Sequence, residues 1–391
     1  MDSYSKENLI KTFNTLTHHP LIDKPKILPI GIDGLSSIIF KKNIIHNIAE
    51  IERKVQNFDY KYSSLLAIEK KEEDKKRLLF IPRVRDQIIF KVIHEDLKFS
   101  AKKSQIDLKI SSPSSVLKRF KNILKENNNH VIIRTDINNF YNSIPRADVI
   151  DDAINLNPNS KTIYLLKQFK YINARNSKIM SSNFDFGVKG LPEGVSLSSS
   201  LSELWANKID IYLSKFIFFR YVDDILILAK NFNEAKIILE DLTKFLAKIN
   251  LCINKHKTQI TDLKNGLFWL GLKHFSDKTI VQNNKVEKWY RLFLNKRKYF
   301  SKQINNTDDL ALKKKLCKQF IEEIFNEING KTSSRIFWYS NADNYEIWKN
   351  FDKKLHSLIK SIIRQSHSEY NNDFPSVYRK IKMIKNRTAN S

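Results

Sequence analysis

The sequence predicts an α+β fold, with antiparallel strands packed on helices and a largely helical region after them. Three observations predict it. Phe216 to Val222 and Ile225 to Leu228 are apolar runs on either side of Asp223-Asp224, the pattern of two strands joined by a tight turn. Ala235, Ile238, Leu239, Leu242, Phe245, Leu246 and Ile249 recur at helical spacing and form one apolar stripe. Beyond about residue 280 the pattern is helical and basic, with 23 Lys and Arg against 11 Asp and Glu over residues 281–391, so a boundary is expected there.

Taken in order, residues 1–30 read as a helix followed by a loop, and the isoleucines between Ile38 and Ile51 suit a helix over 38–57. Leu78 to Ile81 reads as a short strand that Pro82 ends, because proline has no N–H for a ladder. Ile88, Ile89, Val92, Ile93 and Leu97 place a helix after it. Residues 100–129 are basic and polar. Val131 to Asp136 is a buried strand that ends on an acid, and residues 147–170 are largely helical. The division expected is 1–130, 131–280 and 281–391.

With 391 residues and 41% apolar content, the chain has enough material for two or three domains with a sizeable core. Lys and Arg number 68 against 42 Asp and Glu, a net charge of +26. Such an excess implies a polyanionic partner, of which nucleic acid is the commonest. Cys252 and Cys317 stand too far apart to suggest a disulfide framework, and Cys252 with His256 lacks the other half of a metal site. The first residues lack a signal-peptide core, and no apolar run reaches the roughly 18 residues of a membrane span. A soluble, cytoplasmic protein without membrane association is expected.

The chemistry-bearing pattern is a set of carboxylates at strand ends. Asp136 closes one apolar strand, and Asp223-Asp224 sits at the turn between two others. Burial of the hairpin's apolar arms pushes both acids to its tip, where like charges repel unless a cation lies between them. Mg²⁺ suits such a place, since it prefers oxygen and is usually held by one or two carboxylates plus substrate phosphates. If Asp136 lies on a neighbouring strand, the three acids fit two-metal phosphoryl transfer, with ions about 3.5–4 Å apart.

Tyr221-Val222-Asp223-Asp224 within an apolar hairpin resembles the central motif of reverse transcriptases. Asp136 followed by Tyr141 resembles the first catalytic motif of that family, and Gly190-Leu-Pro192-Glu-Gly194-Val-Ser-Leu-Ser198 resembles the next. Lys257 in Asn-Lys-His-Lys-Thr and Trp269-Leu270-Gly271 resemble the lysine motif and the primer-grip turn. Upstream, Gly31-Ile-Asp33-Gly34 and Arg77 to Asp86 are similar to segments of bacterial members, the group II intron and retron lineage. Seven segments stand in family order between about 31 and 275, and an ordered set is far more specific than any one motif. The stretch Ser198 to Asp210 lacks the proline of intron and retron enzymes and carries Glu203 and Asp210 instead. It looks like the phage-defence reverse transcriptases. Glu193 in place of the usual Gln, and Gln87 in place of Arg, depart from many relatives.

The resemblance implies a right-hand polymerase fold of fingers and palm followed by an α-helical thumb, and an RNA-directed DNA polymerase activity. It implies two Mg²⁺ ions, with Mn²⁺ as a substitute, on Asp136, Asp223, Asp224 and the carbonyl of Ile137. Tyr141 would lie under the nucleotide sugar and exclude a 2′-hydroxyl, which disfavours an RNA-dependent RNA polymerase. Arg77 and Lys70 or Lys71 would meet the nucleotide phosphates, with Arg83 and Arg85 as alternates, Arg being suited to bidentate contact. Pro192 and Gly194 would border the nucleotide, Lys257 would protonate the leaving pyrophosphate, and Leu270 with Gly271 would grip the primer. The implied partners are an RNA template (a dedicated noncoding RNA in a defence system), the DNA product and deoxynucleoside triphosphates, with a homo-oligomer left open. Template-independent or protein-primed synthesis, and a non-catalytic RNA-binding scaffold, are the alternatives.

Overall fold

A computed structural model of the chain describes residues 2–18, 26–72, 75–106, 108, 112–126, 131–176, 183–184, 190–329, 334–369 and 374–389. Its strands are β1 (Leu65–Glu72), β2 (Lys75–Ile81), β3 (Val131–Asp136), β4 (Ala174–Asn176), β5 (Asn183–Phe184), β6 (Phe218–Tyr221), β7 (Asp224–Ala229), β8 (Gln259–Asp262), β9 (Leu267–Trp269), β10 (Leu272–His274) and β11 (Thr279–Ile280). The chain divides into two compact units, Met1–Asn122 with His130–Ile260, and Ile123–Asn129 with Thr261–Ser391.

The first unit carries β6, β7, β3 and the start of β8, which form a sheet in the order β6-β7-β3-β8. Both β6 and β3 pair antiparallel with β7. The central strands are buried on both faces, as continuous apolar runs such as Ile225–Leu228 require. The helix Phe232–Lys248 packs its apolar stripe on β3 and β7, burying Ala235, Ile238, Leu242 and Leu246. Asn231 caps it, accepting from the Glu234 amide. The helix Ser196–Leu213 packs on the helices Val84–Lys103 and Arg146–Asn155, and is buried along most of its length. The sequence left this helix unassigned, because burial on several sides erases the one-sided stripe that marks a surface helix.

A second sheet of this unit has the order β2-β1-β4-β5. The hairpin β1–β2 pairs Leu66 with Ile81 through Glu72 with Lys75, so the strand expected at 78–81 is longer and has an unexpected partner. The lysines and glutamates that fill β1 hid it, since they are weak strand formers. The helix expected over 38–57 is two, Ser37–Lys42 and Ile44–Gln56, broken at Asn43. The 147–170 stretch is likewise two helices, Arg146–Asn155 and Ser160–Phe169, with Asn157 at φ 53° and Pro158 between them. Part of the polar 100–129 stretch is the helix Pro113–Glu126.

The second unit opens with the sheet β11-β10-β9 and continues through the helices Asn283–Asn305, Leu310–Asn329, Ser334–Tyr339, Tyr345–Gln365 and Val377–Ala389. Trp289, Phe293, Phe300, Phe320, Trp348 and Phe351 are its buried aromatic centre, leaving the lysines outside. Asp352 accepts from the amides of Val377 and Tyr378 and so caps the last helix. Among the described residues no helix is long and apolar enough to cross a membrane.

Candidate active site

The ladder register decides where the three acids stand. Asp136 is the last residue of β3 and lies directly opposite Asp224, the first residue of β7. Tyr221 pairs with Asp224 across the β6–β7 hairpin, which leaves Val222 and Asp223 as a two-residue turn. Facing residues in an antiparallel ladder have Cα atoms about 4.5–5.5 Å apart. Acids distant in sequence thus share one end of one sheet.

The turn is strained. Val222 has φ 56°, a region that β-branched residues avoid. Two hydrogen bonds hold it: the Ile137 amide donates to the Asp223 carbonyl at 3.1 Å, and Arg220 Nη1 donates to the Val222 carbonyl at 3.0 Å. Beyond Asp136 the chain bridges to Ile253. There the Asn138 amide donates to Cys252 and the Asn254 amide to Asp136, so the carbonyl of Ile137 takes no part in that bridge.

Each carboxylate has defined surroundings. Asp136 is buried, and its Oδ2 accepts from Lys257 Nζ at 2.6 Å. Lys257 comes from the turn that starts at Asn254, whose carbonyl accepts from the Lys257 amide. Asp224 takes a two-pronged contact from Arg134, Nε at 3.2 Å and Nη2 at 3.1 Å. Burial pushes the Asp223 carboxyl up to about 6, reinforced by the charge of Asp136 and opposed by Lys257. Burial also raises Asp224, with the Arg134 contact working against it. The acid set fits an oxygen-seeking divalent ion in kind, since all three donors are carboxylates and the burial and repulsion that raise Asp223 are what a cation relieves. As placed, no three His, Cys, Asp or Glu side chains among the described residues are grouped to chelate one ion.

Tyr141 stands on the one-turn helix Phe140–Ser143, entered through Asn139 at φ 45°. Its hydroxyl bonds with Ser199 and Ser202, and burial raises its pKa. The 190–194 loop is tied on both sides: the Leu191 amide donates to the Tyr141 carbonyl at 2.7 Å, and the Phe80 amide to the Glu193 carbonyl at 2.9 Å. Gly190 has φ 102°, and a Cβ there would lie 2.6 Å from the Asn142 carbonyl oxygen, so only glycine fits. Pro192 is buried and Gly194 exposed. Lys70 and Arg77 face each other across the exposed β1–β2 hairpin, and Arg77 pairs with Glu193 at 3.6 Å. Arg83 pairs with Asp33, and Arg85 bonds with Lys61 and Ser63, which engages both alternates in the local fold. The side chain of Lys71 lies outside the described residues.

Leu270 and Gly271 belong to the second unit, as the two central residues of the β9–β10 turn. Both have positive φ, 48° and 78°, as a type I′ hairpin requires. Cys252 is exposed and Cys317 buried, and neither is in a disulfide.

Sequence reasoning missed Arg134 and Arg220. Arg134 interrupts the otherwise buried run of β3, a position where a charge needs a partner, and that was a usable signal. Arg220 meets Glu203 and Asp210, the two acids that mark the departure at 198–210.

The sequence profile of the reverse transcriptase (RNA-dependent DNA polymerase) family matches residues 68–274, a span that holds the three acids, Tyr141, the 190–194 loop and the Leu270-Gly271 turn. The chain belongs to that family, and with it to the right-hand polymerase fold. Among solved structures it is similar to telomerase from Candida tropicalis truncated from the C-terminal domain (12% identity, TM-score 0.45, 56% of this chain and 55% of that one). It is also similar to telomerase from Candida albicans with a fragment of telomeric RNA (11% identity, TM-score 0.46, 89% and 70%). A third is apo telomerase from Candida tropicalis (12% identity, TM-score 0.48, 83% and 64%). The chain thus spans between about half and 70% of the length of these proteins. No curated protein matches it.

Proposed function

We propose that this protein is an RNA-directed DNA polymerase whose reaction centre is Asp136, Asp223 and Asp224. The observation that carries the proposal is the β3–β7 register, which sets Asp136 opposite Asp224 and beside the Asp223 turn. Asp136 and Asp223 would hold the two Mg²⁺ ions (or Mn²⁺ in their place), with Asp224 and the Ile137 carbonyl in support. Such ions supply charge neutralisation at phosphoryl oxygens and lower the pKa of a bound hydroxyl.

The chain's own side chains do the rest. The Tyr141 ring, with its hydroxyl beside Ser199 and Ser202, blocks a ribose 2′-hydroxyl. Arg77 and Lys70 on the β1–β2 hairpin meet triphosphate oxygens, with Arg77 exchanging Glu193 for phosphate. Gly194 lets the nucleotide approach the loop, while buried Pro192 acts by shaping it. Lys257 hands a proton to the leaving pyrophosphate after releasing Asp136. Leu270 and Gly271 grip the primer. Residues 1–130, 131–280 and 281–391 serve as fingers, palm and thumb, and the +26 charge holds the nucleic acid through its phosphates.

The biological setting proposed is bacterial antiphage defence with a dedicated noncoding RNA as template, on the likeness of the 198–210 stretch. Primer extension on RNA with each deoxynucleotide and ribonucleotide tests the activity. Templated deoxynucleotide incorporation supports it, and equal use of ribonucleotides would refute it. Sequencing the co-purifying RNA tests the template.

A further inference from the structure

We propose that Arg220 is a positioning residue: clamped between Glu203 and Asp210, its guanidinium holds the Val222 carbonyl and so sets where Asp223 stands. The consequence for synthesis rests on the polymerase reading above; the structural core of the proposal does not.

All five N–H groups of Arg220 are engaged. Nε donates to Asp210 Oδ1 at 2.7 Å and Nη2 to Asp210 Oδ2 at 2.7 Å. Glu203 takes Nη1 at 3.2 Å and Nη2 at 2.9 Å, and the other Nη1 proton goes to Val222 at 3.0 Å. The side chains are 9% exposed for Arg220, 5% for Glu203 and 31% for Asp210. A planar fork filled on every prong has one orientation, so its bond to the turn is directional. Glu203 and Asp210 lie seven residues apart on one helix, hence on one face two turns apart.

The turn needs such a hold. A valine at φ 56° is strained and persists only where its surroundings over-determine it. Arg220 fixes one carbonyl of the turn, and the Ile137 amide fixes the next. The same helix, through Ser199 and Ser202, bonds the Tyr141 hydroxyl. One rigid element therefore sets both the sugar-facing ring and the acid-bearing turn.

A clamp that served only stability would be replaceable, since buried ion networks exchanged for apolar side chains are often neutral or stabilising. The test is the combined variant Arg220→Met, Glu203→Met, Asp210→Leu beside wild type and Arg220→Lys. Melting temperature, amide hydrogen exchange across 218–228, Mn²⁺ binding by EPR and steady-state deoxynucleotide kinetics are measured. The expected result is a combined variant that melts like wild type, exchanges its turn amides at least tenfold faster, binds Mn²⁺ more weakly and loses kcat at least tenfold with KM unchanged. Arg220→Lys, which keeps the charge without the fork, should show the same faster turn exchange with an unchanged core. Wild-type exchange at the turn in a folded combined variant, or in Arg220→Lys should the combined variant not fold, overturns the proposal. So does a kcat loss that merely tracks melting temperature. Absence of DNA synthesis by wild type strikes the polymerase reading instead and leaves the exchange comparison decisive here.

Discussion

Asp223 stands in a two-residue turn whose two carbonyls are both held by hydrogen bonds. Its carboxyl is partly withdrawn from water, lies in the turn beside the facing pair Asp136 and Asp224, and follows a residue at positive φ. Asp223→Asn keeps the shape and removes the charge; synthesis should fall by at least about 10³-fold, while affinity for an RNA–DNA duplex measured by fluorescence anisotropy stays within about twofold. Tyr141→Ala removes the ring held by Ser199 and Ser202, and should raise ribonucleotide relative to deoxynucleotide incorporation about tenfold or more in single-nucleotide assays. A pH effect on stability comes from another acid. Asp86 is fully buried, bonded by Tyr60 and by the Ser63 amide, and burial pushes it up to about 6 despite those bonds and Arg85. Its folded value lies above the unfolded one, so protonated Asp86 favours the fold: the contribution is full below about pH 4 and lost as pH rises through 6. Relative to Asp86→Asn, wild type should therefore lose roughly 2 kcal/mol of stability from pH 4 to pH 7 in urea titrations.

At the scale of elements, two turns set side by side what sequence shows and what it hides. The β6–β7 hairpin was legible because apolar arms around an acidic pair admit little else, and β3 because it is an uninterrupted buried run. The pairing of β3 with β7 was conditional in the sequence, since nothing local says which strands are neighbours. The Arg220 clamp was illegible for the same reason: its acids lie 10 and 17 residues away on a helix that shows no clean stripe. Strand β1 was hidden by its charged residues, and Arg134 by the habit of reading arginine as surface. The β9–β10 turn offers an element-scale prediction. Leu270 at φ 48° occupies a place where Asn-Gly is the favoured pair, so Leu270→Asn should stabilise the protein by about 1 kcal/mol in urea titration. If Leu270 is retained for primer contact, the same change should lower primer-extension efficiency several-fold.

For the whole molecule, the proposed function together with 68 basic against 42 acidic residues predicts that phosphate contact is the main source of affinity. Binding of a primed RNA template should weaken steeply with salt, by roughly 10³-fold or more between 50 and 200 mM if about six phosphates are neutralised, as read from anisotropy titrations. Composition alone points to a polyanionic partner. The division at Ile260–Thr261 falls inside β8 and not where the charge balance shifts near 280, so composition does not show it.

The central claim is that Asp136, Asp223 and Asp224 form a divalent-dependent DNA-synthesising centre, and single-turnover extension of a DNA primer on RNA tests it most directly. With Mg²⁺ the wild-type protein should add deoxynucleotides as the template dictates, EDTA should stop it, and Asp223→Asn should bind the same duplex without extending it. Extension by Asp223→Asn at the wild-type rate, or wild-type extension that survives EDTA, would contradict the account.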